Sequence, residues 1–124
     1  MTAILRSPNR LVAAALGVAF AGYGAVAAVT GRPALGILFA LAGLVLMVTA
    51  RLGIAPARRA NTAAGAVWLA LGYAGLFLVG TDANPLDLRA IDEVVLFAAA
   101  TVQLAVGLGA RRDVTAASPS TPAP

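Results

Sequence analysis

The sequence predicts an all-α polytopic membrane protein, an up-down-up-down bundle of four transmembrane helices, and three observations carry that expectation. Four uncharged apolar stretches, residues 11–31, 33–50, 60–81 and 94–110, run for 21, 18, 22 and 17 residues. A bilayer core of ~30 Å needs roughly 20 such residues at ~1.5 Å each. The composition is 60% hydrophobic and 11% charged, with a mean hydropathy of +0.90. Soluble domains carry about a quarter charged residues. The charges that do occur sit almost entirely in the gaps between the stretches.

The first span follows Ser7-Pro8-Asn9-Arg10 and stops at Thr30-Gly31, a turn pair suited to ending a helix. A signal peptide is the competing reading, with Arg6 and Arg10 as its basic region and Ala25-Val26-Ala27 as a cleavage site. A run of 21 residues without a polar region exceeds the ~7–15 of a signal core, so the stretch reads as an uncleaved span. Pro33 suits the first position of a second helix, which predicts a tight antiparallel hairpin with an external loop of about four residues. The next gap, from Arg51 to Arg59, is cationic, and its Pro56 is expected to keep it from being helical. The third span then begins near Ala60 and Asn61.

The loop before the fourth span is the richest polar segment. Asn84-Pro85 reads as a turn or a helix N-cap, and Asp87 as a direct cap on the fourth helix. The fourth apolar run covers only ~25 Å, so its helix is expected to start at residue 89, with Arg89, Asp92 and Glu93 on its first turns at the outer interface. The expected organisation is a cytoplasmic N-terminus at 1–10, a membrane domain at 11–113 with spans 11–31, 33–50, 60–81 and 89–110, and a disordered cytoplasmic tail at 114–124.

With alternating spans, Arg6, Arg10, Arg51, Arg58, Arg59, Arg111 and Arg112 share one side and only Arg32 and Arg89 the other, which places both termini in the cytoplasm. The acids lean the opposite way, with Asp82, Asp87, Asp92 and Glu93 outside and Asp113 inside. A net charge of +4 on a chain whose arginines are strung between spans forms no nucleic-acid face. The absence of Cys and His removes thiolate chemistry, haem and zinc ligation. The absence of Lys removes Schiff-base chemistry and, with the Ala- and Arg-rich composition, points to a high-GC bacterial inner membrane. No nucleophile and base pair or cofactor motif stands in a workable context, so neither an enzyme nor a cofactor is expected.

Small residues recur at helical spacing: Gly17, Ala21, Gly24 and Ala28, then Gly36, Ala40 and Gly43, then Gly65, Gly72 and Gly75. They read as packing seams, or equally as docking faces for a partner subunit. Gln103, two residues after Thr101, is a polar group at bilayer depth that reads as a bond to another helix, the alternative being a transport path. Trp68 is too deep for an interfacial belt and reads as packing, while Tyr23 and Tyr73 could bond each other or the third loop. Gly22-Tyr23 and Gly72-Tyr73, at a spacing of 50, suggest a duplicated hairpin. The external polar cluster of Asp82, Asn84, Asp87, Arg89, Asp92 and Glu93 is read first as helix capping, with Arg89 at ion-pairing distance from Asp92 and Glu93, and alternatively as a weak cation or docking site. Small multidrug transporters use a carboxylate within their first span, and this chain has no ionisable group between Arg10 and Arg32.

On Ser7-Pro8-Asn9-Arg10, Arg59 with Asn61, and Thr81-Asp82-Ala83-Asn84-Pro85-Leu86 followed by Asp92, the chain resembles a family of small four-span membrane proteins from high-GC bacteria, catalogued as a domain of unknown function (number 4383). The resemblance covers about residues 7–110 and implies no established activity. Members of that family often carry a His after the acid that opens span four, where this chain has Val95, Leu96 and Phe97. The expected role is a structural or accessory component of a membrane assembly, as a homo-oligomer or within a larger complex in the lipid bilayer; the alternative is a small oligomeric transporter or channel.

Overall fold

The computed structural model describes residues 2–109, so the expected tail at 114–124, with Arg111, Arg112 and Asp113, lies outside the described residues. It is helical: α1 (Thr2–Arg6), α2 (Pro8–Val29), α3 (Pro33–Leu52), α4 (Ile54–Leu78) and α5 (Ala90–Gly109). The short α1 has no counterpart among the expected spans. The other four are each long and apolar enough to cross a membrane, which makes this a multi-pass membrane protein.

Helix ends follow from local chemistry. The Ser7 hydroxyl accepts from the Arg10 backbone N–H at 3.3 Å and Pro8 opens α2, so Asn9 and Arg10 belong to the helix and not to its lead-in. Thr30, Gly31 and Arg32 complete the first turn before Pro33 opens α3. The second connection departs from expectation. Only Gly53 separates α3 from α4, and Pro56 lies within α4. Backbone N–H groups in the first turn of a helix have no partner inside it, so a proline there forfeits no hydrogen bond. Gly53 has φ 144° and ψ −173°, a backbone region open essentially to glycine alone, and this one residue reverses the chain.

The bundle turns its apolar surface outward. Val18, Val26, Ile37, Leu41, Phe77 and Leu108 are exposed, while Asn9, Asn61, Asp92 and Gln103 are fully buried. A soluble domain shows the reverse, and the inversion fits hydrocarbon as the solvent. The α2–α3 hairpin closes on the predicted small-residue seam. A Cβ at Gly36 would stand 2.6 Å from the Gly24 carbonyl oxygen, and one at Gly43 would stand 2.5 Å from that of Gly17. Backbone therefore lies on backbone, with Ala21, Ala28 and Ala40 in the same seam. In the α4–α5 hairpin the glycines receive side chains instead: Leu104 against Gly65, the Phe97 ring against Gly72 and the Glu93 carboxyl against Gly75.

The two hairpins repeat each other in a register the tyrosines conceal. The buried positions of α2, namely Asn9, Ala13, Gly17, Phe20, Gly24 and Ala27, map one for one onto Ala57, Asn61, Gly65, Trp68, Gly72 and Gly75 of α4 at a constant offset of 48. Those of α3, namely Leu35, Gly36, Phe39, Gly43, Leu46 and Ala50, map at an offset of 57 onto Asp92, Glu93, Leu96, Ala100, Gln103 and Gly107 of α5. Pro8 and Pro56, Arg10 and Arg58, and Arg32 and Arg89 fall in the same registers. The equivalent Phe20 and Trp68 meet across the centre with ring centroids 5.2 Å apart, and Phe39 stacks on Phe20 at 5.2 Å and 1°. Tyr23 and Tyr73, two residues out of this register, are not equivalent: Tyr23 is half-buried within the bundle, whereas Tyr73 is exposed and packs edge-on against Phe97.

The seam sets a direct test. Gly36→Leu should separate α2 from α3 and lower thermal stability in detergent by about 1–3 kcal/mol or more, the range for overpacking a tight contact. Gly22→Leu, at a site where an added Cβ meets nothing within 4 Å, should leave the melting curve unchanged.

Candidate functional site

Two clusters of buried polar side chains join one hairpin to the other, one at each end of the bundle. The cluster at the acidic end is built on Asp92. As the third residue of α5, its Oδ2 accepts from the Arg89 backbone N–H at 2.8 Å, which is the acidic half of a capping box at the positive end of the helix dipole. The same oxygen accepts from Arg32 Nη1 at 2.5 Å, and Oδ1 accepts from the Tyr23 hydroxyl. Arg32 Nη1 also reaches the Asp87 carbonyl at 3.3 Å. Asp92 is fully buried and the Arg32 side chain only 8% exposed, so this is a desolvated ion pair reinforced by neutral donors. Burial works against the Arg32 charge, but its hydrogen bonds to Asp92 and Tyr23 outweigh that cost and hold its pKa above the ordinary arginine value.

Glu93, one residue on, is buried against Gly75, and neither carboxyl oxygen has a hydrogen-bond partner among the described residues. The loop before α5 is held by Asn84, whose side chain accepts from the Leu88 N–H and donates to the Leu88 carbonyl, both at 2.9 Å. Asp87 takes a left-handed backbone, φ 50°, which short polar side chains tolerate.

The second cluster lies at the arginine-rich end. Asn61 Nδ2 donates to the Asn9 carbonyl at 2.9 Å and to Asn9 Oδ1 at 3.1 Å, Asn9 Nδ2 donates to the Val106 carbonyl at 2.8 Å, and Gln103 Nε2 donates to Asn61 Oδ1 at 3.3 Å. Helices α2, α4 and α5 are tied together by one chain of amides. Beside it, two equivalent arginines close their own hairpins: Arg10 Nε donates to the Ala50 carbonyl and Arg58 Nε to the Gly107 carbonyl, each at 2.7 Å. Cations on the last carbonyls of a helix also favour its dipole.

The six residues of the predicted external cluster therefore do not form one site. Asp82 is exposed, Asn84 organises the loop, and Asp87 pairs at 3.4 Å with Arg89 on the surface and does not cap α5. Asp92 caps its own helix, and its cation is Arg32 and not Arg89, because Arg89 sits at the N-cap with its side chain outside while Arg32 enters from the tip of the other hairpin. Asp92 and Glu93 are thus buried within the acidic end of the bundle and not on its surface, where the expectation of an outer-interface position had them. Gln103 makes the expected cross-helix bond, and Trp68 the expected packing contacts with Phe20 and Phe39. Arg32, Asn9 and Asn61 are partners that the sequence does not mark as interior bonding residues, although Asn9 and Asn61 belong to the motifs that carry the resemblance. Their signal was type and place: an Asn in a helical stretch is a poor helix former that has to be justified by a bond, and Arg32 is one of only two cations on the acidic side.

Chemically, the arrangement holds Asp92 with three donors and leaves it no role as a free base, while Glu93 stands apart from any neighbouring hydrogen-bonding group. Breaking the ion pair from one side should be costly. Asp92→Asn or Arg32→Gln should each destabilise the bundle by about 3–5 kcal/mol, and the double variant should recover part of that loss in a double-mutant cycle. Asn61→Ala should cost about 1 kcal/mol in the same unfolding assay. Comparison with protein-family models, with curated proteins and with solved structures finds no match to this chain.

Proposed function

We propose that this chain is a non-enzymatic structural or accessory component of a membrane assembly, seated in a bacterial inner membrane with both termini in the cytoplasm. The observation that supports this reading most is the use made of the interior polar groups. Asp92, Asn9, Asn61 and Gln103, the fully buried polar residues of the bundle, are all engaged in bonds between helices. Bonds of that kind hold helices to one another, which is the work of a structural bundle. The orientation rests on seven arginines against two, and the resemblance to the four-span family adds no activity. One observation favours a second reading, a small transporter or channel working as an oligomer: the buried Glu93 carboxyl without a partner, since intramembrane carboxyls commonly serve ion or proton pathways.

Purification in a mild detergent separates the two. A stoichiometric protein partner is the expected result, and a lone monodisperse oligomer whose transport activity is abolished by Glu93→Gln would replace this reading with the second. The orientation is checked independently. Because the chain has no cysteine, single variants Asp82→Cys and Arg6→Cys report cleanly with an impermeant thiol reagent. Asp82→Cys should react in intact cells and Arg6→Cys only after permeabilisation.

A further inference from the structure

At the arginine-rich end an open groove of about 520 Å³ runs between α4 and α5, lined by Arg58 and Arg59, by Thr62, by Gly107 and Leu108 at the end of α5 and, farther along α4, by Ala63 and Ala66. We propose that this groove is a binding site for an anionic phospholipid, its phosphate held between the two guanidinium groups and an acyl chain laid along the apolar part. Charge complementarity commits the site to that occupant. Among the described residues this end of the bundle carries Arg6, Arg10, Arg51, Arg58 and Arg59 and no acid, because Asp82, Asp87, Asp92 and Glu93 all belong to the other end. A negative charge has to come from outside the described bundle.

The first of the two guanidinium groups is fixed in place. Arg58 donates Nε to the Gly107 carbonyl at 2.7 Å, and its terminal nitrogens have no acceptor among the described residues. Arg59 is exposed and forms no ion pair there. A planar fork anchored at one nitrogen and open at the other two matches the oxygens of a phosphate. Farther along α4, the wall turns from cationic to aliphatic over one helical turn, which is the profile of a headgroup above its hydrocarbon chain. A free phosphate has no use for Ala63, Ala66 and Leu108.

The internal repeat supplies a control within the molecule. In the first hairpin the positions equivalent to Arg59 and Thr62 are Leu11 and Ala14, and Arg10, the equivalent of Arg58, spends two donors on the carbonyls of Ala50 and Arg51. One hairpin thus ties its arginine down and the other leaves it facing a groove with a second arginine beside it. Scattered positive charge that merely orients a membrane protein needs neither the pairing nor the groove.

The test is native mass spectrometry of the full chain, purified without lipid and titrated with phosphatidylglycerol or with phosphatidylcholine of the same acyl chains. Phosphatidylglycerol should bind at least about fivefold more tightly, and Arg59→Gln should remove about fivefold of that affinity while leaving phosphatidylcholine unaffected. Arg6→Gln, at the same end but outside the groove, should change neither. Ala66→Trp, which fills the apolar part about two helical turns along α4 from Arg58, should weaken phosphatidylglycerol as well and serves if Arg59→Gln does not fold. Equal affinity for the two lipids, equal loss in Arg6→Gln, displacement of phosphatidylglycerol by equimolar inorganic phosphate, or no lipid retained by the full chain would each overturn the proposal.

Discussion

Hydrocarbon offers no hydrogen-bond partner, so most polar side chains this bundle buries are answered from within it, and the Glu93 carboxyl stands out as the group with no partner among the described residues on either oxygen. An unanswered group costs several kcal/mol at bilayer depth. The architecture follows from that constraint. Helix ends are tied off by Arg10 and Arg58, whose donors reach carbonyls of the helix that returns beside them, and by Asn9, which reaches a carbonyl of α5 in the other hairpin. Asp92 is affordable inside only because Arg32, Tyr23 and its own helix start supply three donors. The bonds of Asn9 and Asp92 to the opposite hairpin also fasten one hairpin to the other, since apolar side chains in lipid gain little by choosing each other over acyl chains.

The two hairpins are alike in plan and different in composition. In the first, Gly17, Gly24, Gly36 and Gly43 bring two backbones into contact, and the equivalent seam of the second is filled by Leu104, Phe97 and Glu93. Where the first has Leu35, Leu46 and Ala13, the second has Asp92, Gln103 and Asn61. Across the junction at the acidic end the first hairpin brings the donors, Tyr23 and Arg32, and the second brings the carboxylate. A symmetric pair would have set like against like at its centre. The divergence makes the halves complementary, and it confines symmetry to the aromatic pair Phe20 and Trp68 and to the ends of the hairpins.

Much of the fold was legible because its causes are local. Apolar length, Pro33 at a helix start and Thr30-Gly31 at a helix end act within a few residues. The small-residue seam of the first hairpin was legible too, since helical spacing alone places Gly17 and Gly24 on one face. What escaped depends on a partner far along the chain. Asp92 meets Arg32 over a separation of 60 residues and Asn61 meets Asn9 over 52, and nothing local distinguishes Arg89 from Arg32 as the cation. Pro56 misled for a different reason: the same residue breaks a helix interior and suits a helix start, and the choice was made by Gly53. The repeat was legible only in part, because the Tyr pair offered a spacing of 50 while burial runs at 48 and 57.

Gly53 also shapes the outside of the molecule. With a single residue between α3 and α4, the arginine-rich end has no projecting loop at that crossing, whereas the acidic end carries an eleven-residue connection from Val79 to Arg89. The two faces therefore differ in relief as well as in charge. Among the described residues, the α3–α4 crossing is a one-residue turn flanked by the guanidinium groups of Arg51 and Arg58, and the opposite end carries the long acidic connection as a crest.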